Sequence, residues 1–156
     1  MRGEFGPLVR EPKHDGRAMA GRMIAPLIGR QHALGHAEID SGHQAIADWW
    51  ARAAYCEPIQ LPFVLARLKK LMRSHFDDES RLMQMAGGAL CRCHDQEHQT
   101  LLELCDQVGV LSDQNWRKAR SLLRKDFPRL VREHITCMDS LAVLLINTSR
   151  AVDCAG

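Results

Sequence analysis

Seven side chains with the chemistry of metal ligands fall into four clusters along this chain: His43 alone, His75-x-x-x-Glu79, His94-x-x-x-His98 and His134-x-x-x-x-Asp139. Imidazole nitrogens combined with a few carboxylate oxygens suit first-row transition metals, iron and zinc among them. Five imidazoles and two carboxylates are more donors than one ion uses. They can hold two iron ions with one coordination position left empty.

Four helices are needed to carry the four clusters. The first is expected from Asp40 or Ser41, either of which can cap it, to about Tyr55, where Glu57-Pro58 stops it. The second begins near Pro62 and ends at Gly87-Gly88. A third should run from about Ala89 to Val108, with Gly109 just past its end, and Ser112 with Asp113 opens a fourth reaching about Asn147. Pro128 lies inside that fourth segment and predicts a kink or break near Arg124–Phe127. Connections this short make consecutive helices antiparallel. The expected fold is all-α, an up-down-up-down four-helix bundle.

Helical periodicity places the ligand types where apolar residues belong. The stripe of Leu68, Leu71 and Met72 continues through His75 and Glu79 to Leu82 and Met83. Leu90, His94, His98, Leu101 and Cys105 form the stripe of the third helix, and Leu123, Phe127, Leu130, Val131 and His134 that of the fourth. His43 shares a face with Ile46, Ala47 and Trp50. A buried carboxylate is costly unless compensated, and a metal compensates two carboxylates among five histidines economically. His134 and Asp139 are five apart, roughly 140° off one face of a regular helix. Either they straddle the core direction or the helix widens in a π-type bulge.

Composition bounds the rest. With 156 residues, 46% hydrophobic and 5% aromatic, the chain fits one domain. Residues 1–33, rich in Gly and Pro and basic in balance, are expected to form a largely irregular arm, 34–150 the bundle and 151–156 a tail. A net charge of +2 without a basic cluster speaks against nucleic acid, and no apolar run is long enough for a membrane span. No secretory signal is evident, so a cytoplasmic protein is expected, with its six cysteines as reduced thiols.

Alone, each spacing is weak: His32-x-x-x-His36 straddles Gly35, and His43-x-x-x-x-Asp48 puts Asp48 off the stripe. The full set resembles the hemerythrin family, in its bacterial branch. Leu34-Gly35-His36-Ala37-Glu38-Ile39-Asp40-Ser41-Gly42-His43 is similar to the family's Leu-Gly-Ile-x-x-Ile-Asp-x-x-His opening. His75-Phe76-Asp77-Asp78-Glu79-Ser80-Arg81-Leu82-Met83 resembles His-Phe-x-x-Glu-Glu-x-Leu-Met, and His134-Ile135 with Asp139 resembles His-Ile-x-x-x-Asp. The resemblance spans about residues 34 to 148. The chain departs from it at His36, at Ser80, at Gly87-Gly88 and in lacking two expected tryptophans, but at no ligand.

The resemblance implies two non-haem iron ions. His94, His98 and His134 would bind one, His43 and His75 the other, with Glu79, Asp139 and an oxide or hydroxide bridging them. The second ion would then be one ligand short, the place for dioxygen. An apolar lining of Ile46, Phe76, Leu101, Val131 and Ile135 is expected around that place. Reversible oxygen binding for storage, delivery or scavenging is the implied function, with at most weak oxidase or peroxidase activity. The alternative is an oxygen, redox or nitric-oxide sensing domain acting on a partner, less favoured because an output domain has no room beyond the arm. A remote alternative is a zinc peptidase using His94-x-x-Glu97-His98, with Glu97 as base. Cys91-Arg92-Cys93-His94 is one residue short of the c-haem attachment spacing and is expected to be ordinary thiols.

Overall fold

A computed structural model describes residues 26–153, and every regular element in it is helical. Helix α1 spans Ala37–Tyr55, α2 Leu61–Met85 and α3 Arg92–Gln114. The fourth rod is continuous but composite: α4 (Trp116–Ser121), a π-helical turn π1 (Leu122–Asp126), α5 (Phe127–His134), a second π turn π2 (Ile135–Asp139) and α6 (Ser140–Asp153). Short 3-10 turns precede α1 and α2, at Arg30–His32 and Pro58–Gln60.

Cross-helix contacts give the directions. Arg81 near the end of α2 pairs with Glu38 at the start of α1, and Lys69 early in α2 pairs with Asp106 late in α3. Arg120 and Arg124, early in the fourth rod, donate to the carbonyls of Cys56 and Ala54 at the end of α1. Each contact joins the start of one rod to the end of its neighbour, so the bundle is up-down-up-down. The core packs Leu61, Leu68, Met72, Val108, Leu123 and Phe127, each 1% exposed or less. Burying side chains of this size stabilises by roughly 1.5–3 kcal/mol each.

Pro128 does not break the rod; the helix widens just before it. The N–H of Phe127 reaches back five residues to the carbonyl of Leu122. The next carbonyl, that of Leu123, would pair in the same register with Pro128, which has no N–H. Nε1 of Trp50 donates to it instead, at 2.6 Å. The second widening answers the His134–Asp139 spacing. Bonds running i to i+5, here from Ser140 N to Ile135 O, let five residues close about one turn. Both side chains thereby enter the core.

Several boundaries differ from the sequence expectation. Helix α1 begins at Ala37, and Asp40 does not cap it; its carboxylate accepts from the N–H groups of Leu34 and Gly35, fixing the entering loop. Helix α3 starts only at Arg92 and runs through Gly109 to Gln114. Gly109 keeps a negative φ, and its carbonyl accepts from Ser112 Oγ, so Ser112 belongs to α3 rather than opening the next helix. Asn115, at φ −152 and ψ 81, makes the turn and caps α4 through Lys118 N. The last helix continues to Asp153. Gly87, at φ +76, ends α2 as expected.

Of the expected N-terminal arm, residues 1–25 lie outside the described residues, as do 154–156 of the tail. Residues 26–33 lie across the bundle: Leu27 is buried, and Arg132 donates to the carbonyls of Leu27 and Pro26. No helix among the described residues is long and apolar enough to cross a membrane.

Candidate metal centre

All seven ligand-type side chains meet inside the bundle, and none is more than 5% exposed. Helix α1 contributes His43, α2 His75 and Glu79, α3 His94 and His98, α5 His134 and π2 Asp139. They divide into two groups that share both carboxylates. Glu79, His94, His98, His134 and Asp139 form one; His43, His75, Glu79 and Asp139 form the other. Within each group, one donor atom of every residue lies within 4.8 Å of all the rest.

Each carboxylate presents one oxygen to each side. Glu79 turns Oε1 to His75 Nε2 at 3.1 Å and Oε2 to His98 Nε2 at 3.0 Å and His94 Nε2 at 3.4 Å. Asp139 turns Oδ2 to His43 Nε2 at 2.9 Å and Oδ1 to the Nε2 atoms of His94 and His134, both at 3.0 Å.

These distances are short, yet most of the pairs are not aligned as hydrogen bonds. Nε2 of His75 and His94, both oxygens of Glu79 and Oδ1 of Asp139 are buried without a hydrogen-bond partner among the described residues. Their lone pairs converge on shared space rather than on one another. Nε2 of His98 and Nε2 of His134 also face each other at 3.1 Å. Buried polar atoms left unpaired cost about 1–3 kcal/mol each, and a cation between them removes that cost. The donor set therefore fits a metal.

Without one, protons must mediate the same charges. Burial opposes the ionisation of Glu79, but contacts with His75, His94 and His98 outweigh it and hold the carboxyl far below the usual range. Asp139 is held down in the same way by His134, His43 and His94. Burial likewise opposes charge on His94, but Asp139 and Glu79 lift its imidazole to about 9.

Two residues support the candidate ligands in roles that sequence reasoning missed. Glu97, half-buried and outside the centre, accepts from Nδ1 of His134 at 2.8 Å, leaving Nε2 bare toward the cluster. Gly42 lets α1 approach His75 closely: a β-carbon there would overlap Nδ1 and lie 3.0 Å from Cγ and Cε1. Their signals were present only as neighbours of ligands, Glu97 before His98 and Gly42 before His43. The decoys stay out. His32 accepts from Gly29 N, His36 is buried elsewhere with no polar partner among the described residues, and Asp48 is exposed and bonded to Gln44.

A cavity of about 20 Å³ abuts the centre, lined by His43, His75 and His134 together with Ile46, Met72, Phe76, Leu101, Val131 and Ile135. The five residues expected to form an apolar lining all border it, and Met72 joins them. Phe76 also stacks flat on His98, with ring centroids 3.7 Å apart.

One expectation is overturned at the rim. Cys91 and Cys93 are not free thiols but a disulfide, with Cα atoms 5.4 Å apart, while Cys56, Cys105 and Cys137 are free. The error came from reasoning by compartment, which says nothing about a pair already adjacent in space.

The fold and centre together define an all-α bundle enclosing a cluster of histidines and carboxylates suited to metal. In comparisons with known proteins, no family model, no curated protein and no solved structure matches this chain.

Proposed function

We propose that the cluster holds two non-haem iron ions and that the protein binds dioxygen reversibly, as the resemblance to hemerythrins implies. One observation carries this reading. The donors divide unequally, three histidines against two, across a shared pair of carboxylates, and the apolar cavity touches both histidines of the smaller group but only His134 of the larger. His94, His98 and His134 would hold one ion, His43 and His75 the other, with Glu79, Asp139 and a solvent-derived oxide or hydroxide between them. When bound and reduced, the iron pair supplies two electrons and an open position. The protein's own contributions are physical. Ile46, Leu101, Val131 and Ile135 exclude water and outside protons from the cavity, which has room for about one small molecule. Phe76 braces His98, and Glu97 sets the tautomer of His134. Among the described residues the polar lining of the cavity is three histidines, each assigned to an ion, with no carboxylic acid or hydroxyl beside them to hand a proton to a substrate, which favours binding over turnover.

Storage, delivery or scavenging of oxygen is the preferred role. The engagement of Glu97 with His134 supports a positioning duty over that of a peptidase base. The test is an iron count joined to an absorption spectrum of reduced protein as oxygen is admitted and withdrawn. Two irons per chain and a visible band that comes and goes with oxygen are expected. A single zinc per chain, or a colour change that never reverses, would overturn the proposal.

A further inference from the structure

The disulfide at the start of α3 is unlike a structural brace. Cys91 is the N-cap of the helix and Cys93 lies in its first turn, so the bond encloses a single residue, Arg92. A cross-link stabilises chiefly by restricting the unfolded chain, and one closing so short a loop restricts it least. Both cysteines are exposed. Exposed disulfides open to attacking thiols, and those that are labile tend to be regulatory or catalytic.

The surroundings favour a particular kind of attacker. Arg92, exposed, is the residue between the two cysteines in the chain, and the N-terminal end of α3 adds its partial positive charge, against the single carboxylate of Asp95 in the same turn. A small thiol carrying carboxylates, or its thiolate, is drawn there. Behind the bond lies the centre: Cys91 Sγ accepts the backbone N–H of His94 at 3.3 Å, and Cys93 is bonded directly to that residue in the chain. His94 Nε2 is within 3.4 Å of both carboxylates. The covalent tie therefore spans the turn that presents one of the seven donors.

We propose that Cys91 and Cys93 form a redox-exchange site for small anionic thiols, cycling between disulfide and dithiol in the folded protein, and that its state governs how firmly the first turn of α3 holds His94. The chemistry balances in two displacements. A thiolate attacks one protein sulfur, the Cys91–Cys93 bond breaks, and the departing sulfur takes a proton. A second thiolate then attacks the mixed disulfide, a small-molecule disulfide leaves, and the other protein sulfur is protonated. Two thiols are oxidised as the protein disulfide gains two electrons and two protons, and the reverse sequence restores it.

The experiment equilibrates the full chain, metal-free, with graded ratios of reduced to oxidised glutathione, then traps free thiols. Mass spectrometry reads the state of the segment carrying residues 91–93, and hydrogen exchange reads its amides. A reversible two-electron transition is expected while the fold persists. It should be absent in Cys91→Ser and in Cys93→Ser, which guards against loss of the cap alone, and unchanged in Cys137→Ser. The His94 amide should exchange roughly tenfold faster in the dithiol than in the disulfide. A bond that opens only on unfolding, or never reforms, would overturn the exchange site. Equal exchange rates in the two states would overturn its hold on His94. No readout needs a bound metal, so this inference and the di-iron reading fail separately.

Discussion

Oε2 of Glu97 lies 2.8 Å from Nδ1 of His134, a contact that favours the ring proton on Nδ1 while Nε2 faces the centre. With Nδ1 donating outward, the lone pair of Nε2 is free to point inward, 3.0 Å from Oδ1 of Asp139. Glu97→Ala leaves that proton without its acceptor. Loss of such a partner typically weakens metal binding about 10- to 100-fold, or roughly 1.4–2.7 kcal/mol. Glu97→Gln can still accept through its amide oxygen and should lose less. Titration against a competing chelator measures both. A Gln variant with full metal affinity but an abolished hydrolytic activity would instead make Glu97 a catalytic base.

Gly42 gives a second, steric prediction. A methyl group there has nowhere to go: its neighbour is the buried ring of the candidate ligand His75. Gly42→Ala must push α1 outward or swing His75 off its face. Overpacking of this kind costs about 1–3 kcal/mol. The metal content should fall along with the unfolding midpoint, because the displaced residue is a donor. An alanine variant that retains two ions per chain would contradict the contact.

Removing the metal should cost more than either substitution. Among the described residues, the unpaired atoms of Glu79, Asp139, His75 and His94 have no other partner that satisfies them all. An ion present at a thousandfold excess over its dissociation constant stabilises the folded state by about 4 kcal/mol. In a chain of this size each kcal/mol moves the melting temperature by roughly 2–4 °C. Chelation should therefore lower it by about 8–16 °C per strongly held ion, and adding ferrous iron back without oxygen should restore it. Calorimetry before and after chelation checks this, and an unchanged melting temperature would argue against a resident ion.

The site was readable because a helix repeats every 3.6 residues, so histidines and carboxylates at apolar positions stand out against Leu68, Leu101 and Phe127. The five-residue step from His134 to Asp139 left two outcomes open, a straddled core direction or a widened turn, and π2 is the widened turn. What could not be read depends on contacts distant in sequence or on backbone choice. Asp40 has the chemistry of a cap, and only the path of the preceding loop assigns it to Leu34 and Gly35. Gly109 signals an end, yet a helix tolerates glycine when the residues after it keep bonding, as Ser112 does. Glu97 and Gly42 act on ligands of other helices, and no pattern within α3 or α1 reveals the partner.

In the metal-free protein the histidines make stability fall as the solution turns alkaline. His94, raised from 6.5 to about 9, adds stability that is fully present below its ordinary value and is lost as pH rises through the higher one. His134 is shifted the same way: burial opposes its charge, but Asp139 and then Glu97 prevail. His98 goes the other way, lowered by burial, and so costs stability only in acid. Glu79 and Asp139, held below their ordinary 4.5 and 3.8, contribute above those values and lose that contribution as acid protonates them in the fold. Between about pH 7 and about pH 9.5 the net slope is therefore negative. Metal affinity should climb over the same window, because an incoming ion must expel the proton that His94 retains. Denaturant midpoints of the metal-free protein and ion affinities, measured at both ends of the window, should thus move in opposite directions. A midpoint that rises with pH, or an affinity that stays flat, would mean that Asp139 and Glu79 do not hold the His94 proton in the way their distances indicate.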